Sequence, residues 1–111
     1  MTRITLISFF VLVVAVSLAT SESGICSWYD APNGAKTANG ETFNRNAMTA
    51  AHKTLPFNTK VRVTVGNRAA VVRINDRGPF VKGRILDVTP HVADILNLRQ
   101  RGVAPCNVVR A

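Results

Sequence analysis

Apolar residues alternate with basic or polar ones over residues 60–65, where Val61, Val63 and Val65 recur at period two. That is the pattern of a strand with one buried face. Gly66-Asn67 follows, a tight turn signal that tolerates positive φ, and leads into the Val- and Ile-rich run 68–75. The two runs are predicted to pair antiparallel as a hairpin. A shorter apolar and aromatic run, 25–29, stops at the turn signal Asp30-Ala31-Pro32-Asn33-Gly34. Residues 85–88 and 106–110 complete the strand signals.

Three regions read differently. Residues 34–46 are rich in Gly, Asn, Thr and Lys, and Phe43, their one large apolar residue, is expected to pin the loop to the core. Residues 47–51 fit either a helical turn capped by Asn46 or extended chain. Thr89-Pro90 opens a short helix with Val92, Ile95 and Leu96 on one face and Gly102 as its exit. Many short strands with one or two short helices predict an all-β domain closed as a compact barrel.

Candidate chemistry concentrates in residues 73–88, RINDRGPFVKGRILDV, which hold two carboxylates, three arginines, two glycines and a proline between apolar runs. Asp76 falls where one strand ends and Asp87 lies inside the next.

The N-terminus changes the composition to be explained. Residues 4–18 are apolar, but too short and too interrupted by Thr5, Ser8 and Ser17 to span a membrane. With small residues at Ser17 and Ala19 they read as a secretory signal peptide, residues 1–19, leaving one domain over 20–111. Small exported domains often need a covalent staple, and Cys26 and Cys106 stand near the two ends of this one; they are expected to be bonded. Ile25 before Cys26 is too bulky for a lipoprotein cleavage site. A periplasmic or secreted protein with no stable membrane anchor is therefore expected, as a monomer.

There are 14 Lys and Arg against 6 Asp and Glu, a formal charge of +8 that becomes +7 once Arg3 leaves with the leader. A basic exported protein calls for a polyanionic partner such as a cell-wall polymer. Nucleic acid is not expected: export removes access to it and no aromatic RNA-binding motif is present. His52 and His91 have no ligand pattern around them, so neither metal nor cofactor is expected.

Ser27-Trp28-Tyr29, Thr37-Ala38-Asn39-Gly40-Glu41, residues 48–57 (MTAAHKTLPF) and residues 72–80 (VRINDRGPF), in this order and spacing, resemble the rare lipoprotein A family over nearly the whole mature chain. The resemblance implies a six-stranded double-psi β-barrel, shared with expansins and barwin-like proteins. It implies an exported lytic transglycosylase that cleaves MurNAc-GlcNAc bonds of peptidoglycan and leaves 1,6-anhydromuramyl ends. The alternative is a non-catalytic, expansin-like protein that binds or loosens cell-wall polysaccharide.

Carried over residue by residue, the resemblance implies catalytic roles for Glu41, His52 and Asp76. Asp87 lies where expansins and membrane-bound lytic transglycosylase A keep an acid. Tyr29, Thr37, Asn75 and Arg77 are the expected substrate contacts; Tyr29 rather than Trp28 faces the groove, since strand neighbours point to opposite sides. Each acid also has a plainer use, in a solvated loop or as a turn cap. Which aspartate donates the proton stays open, because the family pattern stresses Asp76 while the apolar neighbours Leu86 and Val88 favour a protonated Asp87. Asn44 stands where many catalytic relatives carry an aspartate, which removes one ionisable group from the cleft.

Overall fold

The computed structural model describes residues 21–111; the expected leader, residues 1–19, lies outside them. Its elements are β1 (Ser21–Trp28), β2 (Thr49–Ala51), β3 (Lys60–Val65), β4 (Arg68–Asp76), β5 (Arg84–Val88), α1 (Pro90–Ile95) and β6 (Val103–Arg110). The strands close into a barrel in the order β1-β5-β2-β4-β3-β6, with β6 returning to β1. The hairpin predicted around Gly66-Asn67 is present: β3 and β4 pair antiparallel from Val65↔Arg68 to Lys60↔Arg73, and Gly66 takes φ +60°.

Two pairs, β1–β5 and β2–β4, are parallel, whereas β1–β6, β2–β5 and β3–β6 are antiparallel like the hairpin. Parallel neighbours cannot be joined by a tight turn, so the chain must cross over between them. This mixed, closed arrangement is the double-psi β-barrel. It settles residues 47–51: Thr49–Ala51 is extended because its backbone is claimed on both sides, by β4 and by β5.

Alternation drives the packing. Val61, Val63 and Val65 of β3, Ala70, Val72 and Ile74 of β4, Leu86 and Val88 of β5, and Ala104, Cys106 and Val108 of β6 all point inward. Each large aliphatic side chain buried this way contributes about 1.5–3 kcal/mol. Cys26 and Cys106 are disulfide-bonded within this core, 80 residues apart in sequence. β1 and β6 begin earlier than hydrophobicity predicts. The polar first residues of β1 pair with β6 backbone to backbone, as in Ser21↔Val109 and Ser23↔Asn107, which needs no apolar side chain, and Val103, Ala104 and Pro105 at the start of β6 pair with Ser27, Cys26 and Ile25.

Thr89 caps α1, its side chain accepting from Val92 N, and Pro90 follows as predicted. The exit is earlier than Gly102. Asn97 takes φ +56°, with Asn97 N donating to Asp94 O and Leu98 N to Ala93 O. This pair of bonds is the Schellman pattern, and Asn is the residue after Gly that best tolerates it. Val92, Leu96 and Leu98 cover one end of the core.

Candidate active site

Asp76 ends β4 and Asp87 lies in β5, and β2 runs between these strands. Ala51 of β2 is the register partner of both, Ala51↔Asp76 on one side and Ala51↔Asp87 on the other. The two aspartates therefore stand level on the barrel, two strand spacings apart, about 10 Å between backbones. Eleven positions of chain separate them, but β2 sets their distance.

Their surroundings differ. Asp76 Oδ1 accepts from the backbone N–H of Ala38 and of Arg77, both at 2.9 Å, and Oδ2 accepts from the Tyr29 hydroxyl at 2.8 Å. Three donors and no acceptor is the partner set of an ionised carboxylate. Burial, then the bond to Asp76, pushes the Tyr29 hydroxyl far above its ordinary range, so it remains a donor. Asp87 is half-buried, and its Oδ1 meets the buried hydroxyl of Ser27, its register partner on β1. Burial raises its pKa above the usual carboxylate value; Ser27 and the charge of Arg84 oppose this, and the negative charge of Asp76 adds to it.

Glu41 reaches the site on a small excursion of the loop between β1 and β2. Lys36 and Thr42 form a bridge, Thr37 N donates to Glu41 O, and Gly40 turns the tip with φ +93°. Its carboxylate is gripped by Arg73, Nη1 to Oε2 at 2.9 Å and Nη2 to Oε1 at 3.0 Å, with Asn75 Nδ2 on Oε1 at 2.9 Å. Arg73 first and Asn75 second hold the Glu41 pKa down to about 2. Glu41 is thus an anion fixed to β4, one strand position from Asp76 through Asn75.

His52 follows β2 directly, its backbone N–H donating to Asp76 O at 3.2 Å. The buried ring is turned elsewhere: Nδ1 accepts from Thr54 N and Leu55 N, and Nε2 lies 2.6 Å from Glu22 Oε1. An Nδ1 that accepts two N–H bonds carries no proton, so Nε2–H is the donor to Glu22. Its ring therefore orders the turn after β2, while its backbone touches the Asp76 peptide.

Of the expected substrate contacts, two meet candidate carboxylates through their side chains: Tyr29 meets Asp76 and Asn75 meets Glu41. Thr37 and Asn75 are buried in the seam between loop and barrel, with Thr37 Oγ1 donating to Asn39 Oδ1 at 2.6 Å. Arg77 spends its guanidinium on the carbonyls of His52 and Leu55 and stacks 4.0 Å above the Phe57 ring. Phe43 packs on Tyr29, ring centroids 5.1 Å apart, rather than in the barrel core. Trp28 turns the other way, donating to Arg99 O at 3.2 Å.

Ser27 was not singled out as a site residue by the sequence, although its place beside Tyr29 was the available signal. Asn44 accepts from Asn46 N at 2.9 Å in an exposed turn. Among the described residues no group of three His, Cys, Asp or Glu is placed to hold a metal ion. None of the four acidic or histidine candidates lines the hollow of about 630 Å³ bounded by Ser23, Gly24, Thr64, Gly66, Pro105, Cys106 and Asn107.

A family model described as lytic transglycolase matches residues 21–108. The chain is 50% identical over 93 residues to the endolytic peptidoglycan transglycosylase RlpA of Campylobacter jejuni, covering 81% of this chain and 34% of that one. With the protein of the same name from Helicobacter pylori the figures are 47% over 98 residues, covering 85% and 31%. With that from Rickettsia felis they are 46% over 94 residues, covering 79% and 41%. The chain thus spans about a third of the length of these curated relatives. Among solved structures, the Streptomyces papain inhibitor superposes with a TM-score of 0.66 at 18% identity, over 82% of this chain and 94% of that one, a likeness of fold.

Proposed function

This chain belongs to the lytic transglycolase family, and on that premise we propose that it cleaves MurNAc-GlcNAc bonds of peptidoglycan outside the cytoplasm without using water. The relatives' names favour cleavage over the non-catalytic, expansin-like alternative. Export to the periplasm or the medium, and action as a monomer, belong to the same proposal.

The observation that carries the assignment of roles is the contrast between two aspartates held level across β2. Asp87, raised by burial, is the proton donor: it protonates the glycosidic oxygen as the bond to the muramyl C1 breaks. Asp76, surrounded by donors, is the fixed negative charge that faces the oxocarbenium centre. The muramyl 6-hydroxyl then attacks C1 and its proton passes to the Asp87 carboxylate, which regenerates the acid and closes the 1,6-anhydro ring. One carboxyl group serves twice because its first act converts it into a base. The usual hydrolase plan, with a water activated by a second carboxylate, is not needed.

Tyr29 keeps Asp76 in place and presents its ring edge to the sugar. Glu41, held on the β4 side beside Asp76, is an ionised contact for substrate hydroxyls or amides, outside the proton path because Arg73 keeps it charged. His52, Thr37, Asn75 and Arg77 hold the walls in register.

The test is chemical. Glycan strands from purified peptidoglycan, incubated with the exported protein, should gain muramyl ends one water lighter than hydrolytic ends by mass spectrometry. Reducing muramyl ends alone, or intact strands, would overturn the reading.

A further inference from the structure

The loop joining the two aspartate-bearing strands carries an exposed apolar tip that the reaction does not use. Phe80 is 84% exposed and Val81 50%. Phe80 lies four positions after Asp76 and seven before Asp87. The root of the loop is anchored: Gly78 and Pro79 are buried, and Arg77 is tied to the carbonyls of His52 and Leu55. Gly78 has φ +127°, and a Cβ placed there would lie 3.6 Å from the Phe80 ring, so the ring lies back over Gly78. Beyond it Lys82 is exposed and Arg84 half-exposed.

Keeping a phenyl ring in water contributes nothing to folding, and the apolar area it offers is recovered only when something covers it. A pyranose ring is a fitting cover, since its axial C–H bonds make an apolar face of about the size of a phenyl ring. The cations beside the tip complement the carboxylates of peptides attached to wall glycans.

We propose that Phe80, with Val81, is a glycan-docking platform that stacks on a sugar ring of the strand adjoining the bond being cleaved. The proposal rests on the glycan-cleaving reading above. Phe80 then positions the polymer along the line from Asp76 to Asp87, while the charges of Lys82 and Arg84 hold its peptide branches.

Binding is measured by co-sedimentation with purified sacculi and by calorimetry with soluble strands stripped of peptides, using the Asp87→Asn protein so that the ligand survives. Adding Phe80→Ala should weaken both about tenfold, whereas Phe80→Trp should retain affinity. In the active protein Phe80→Ala should raise KM about tenfold with the loss falling on KM rather than kcat, at an unchanged unfolding temperature. Binding and KM within about twofold of the parent in Phe80→Ala would overturn the platform while cleavage by the parent stood. If the parent neither bound strands nor formed anhydro ends, both readings would fall together. Loss of binding to anionic phospholipid vesicles in Phe80→Ala, with glycan binding intact, would assign the tip to a membrane and overturn the proposal.

Discussion

Ser27 donates its hydroxyl to the Asp87 carboxyl group across the parallel β1–β5 pair, at a position where the two residues are register partners. The bond favours the charged form of an acid that burial otherwise favours as neutral. Ser27 therefore tunes the proposed proton donor without touching substrate. Ser27→Ala should move the alkaline limb of the pH-rate profile to higher pH, because Asp87 loses the one hydrogen bond that lowers its pKa. Initial rates of anhydro-end formation across the pH range measure it; an unmoved limb would separate Ser27 from the acid.

Asp87→Asn removes the proposed proton donor and should lower kcat by about 10²–10⁴. It should also leave the unfolding temperature equal or higher at neutral pH. The sign follows from the raised pKa: ionising the half-buried group costs folding free energy as pH rises through its folded value, and the amide carries no such cost. Falling activity with retained stability, read by calorimetry, is the signature expected of a group kept for function.

Tyr29→Phe deletes one of the three donors on Asp76 while leaving the packing on Phe43 in place. Loss of one hydrogen bond to a charged group should cost about 1.5–3 kcal/mol in stability. Turnover should fall through kcat, since the proposed charge-stabilising carboxylate keeps only its two backbone donors on Oδ1 and is less firmly held. Chemical denaturation and steady-state kinetics on the same preparation test both halves.

Glu41 gives an acid-side prediction. The Arg73 guanidinium holds the Glu41 carboxyl down to about 2 in the fold, below the ordinary glutamate value of 4.5, so the pairing stabilises the fold above that unfolded value. That contribution should be lost as pH falls from about 4.5 towards 2. In Glu41→Gln the unfolding temperature should be lower at neutral pH and should converge with the parent near pH 2. The substituted protein should retain a titrating proton donor, which distinguishes Glu41 from Asp87.

Reduction of Cys26–Cys106 frees a loop with a sequence separation of 80. In the chain-entropy account the bond is worth about 4 kcal/mol. Denaturation midpoints in reductant should fall accordingly, and Cys26→Ser with Cys106→Ser should reproduce the loss without reductant.

Much of the barrel was legible along the chain because its signals are local. The Val61, Val63, Val65 alternation and the Gly66-Asn67 turn encode β3 and β4 without help from distant residues, and Thr89-Pro90 encodes its own helix start. Residues 49–51 carried no such signal. Three residues cannot display a period, and their extended form comes from β4 and β5 pairing on either side. Hydrophobicity alone has Phe43 pinning its loop to the core; Tyr29, directly after β1, offers it a nearer partner.

The sequence by itself determined the inventory: two cysteines to join, four candidate catalytic side chains in motif order, and an apolar run on either side of Asp76 and Asp87. Only the tertiary structure decided how these groups differ. Ala51 places both aspartates at one level. The loop around Ala38 brings N–H donors to Asp76, β1 brings Ser27 to Asp87, and Arg73 claims Glu41. Protonation state depends on burial and on partners distant in sequence, and a closed barrel with parallel crossovers creates those neighbours only when the whole chain has folded.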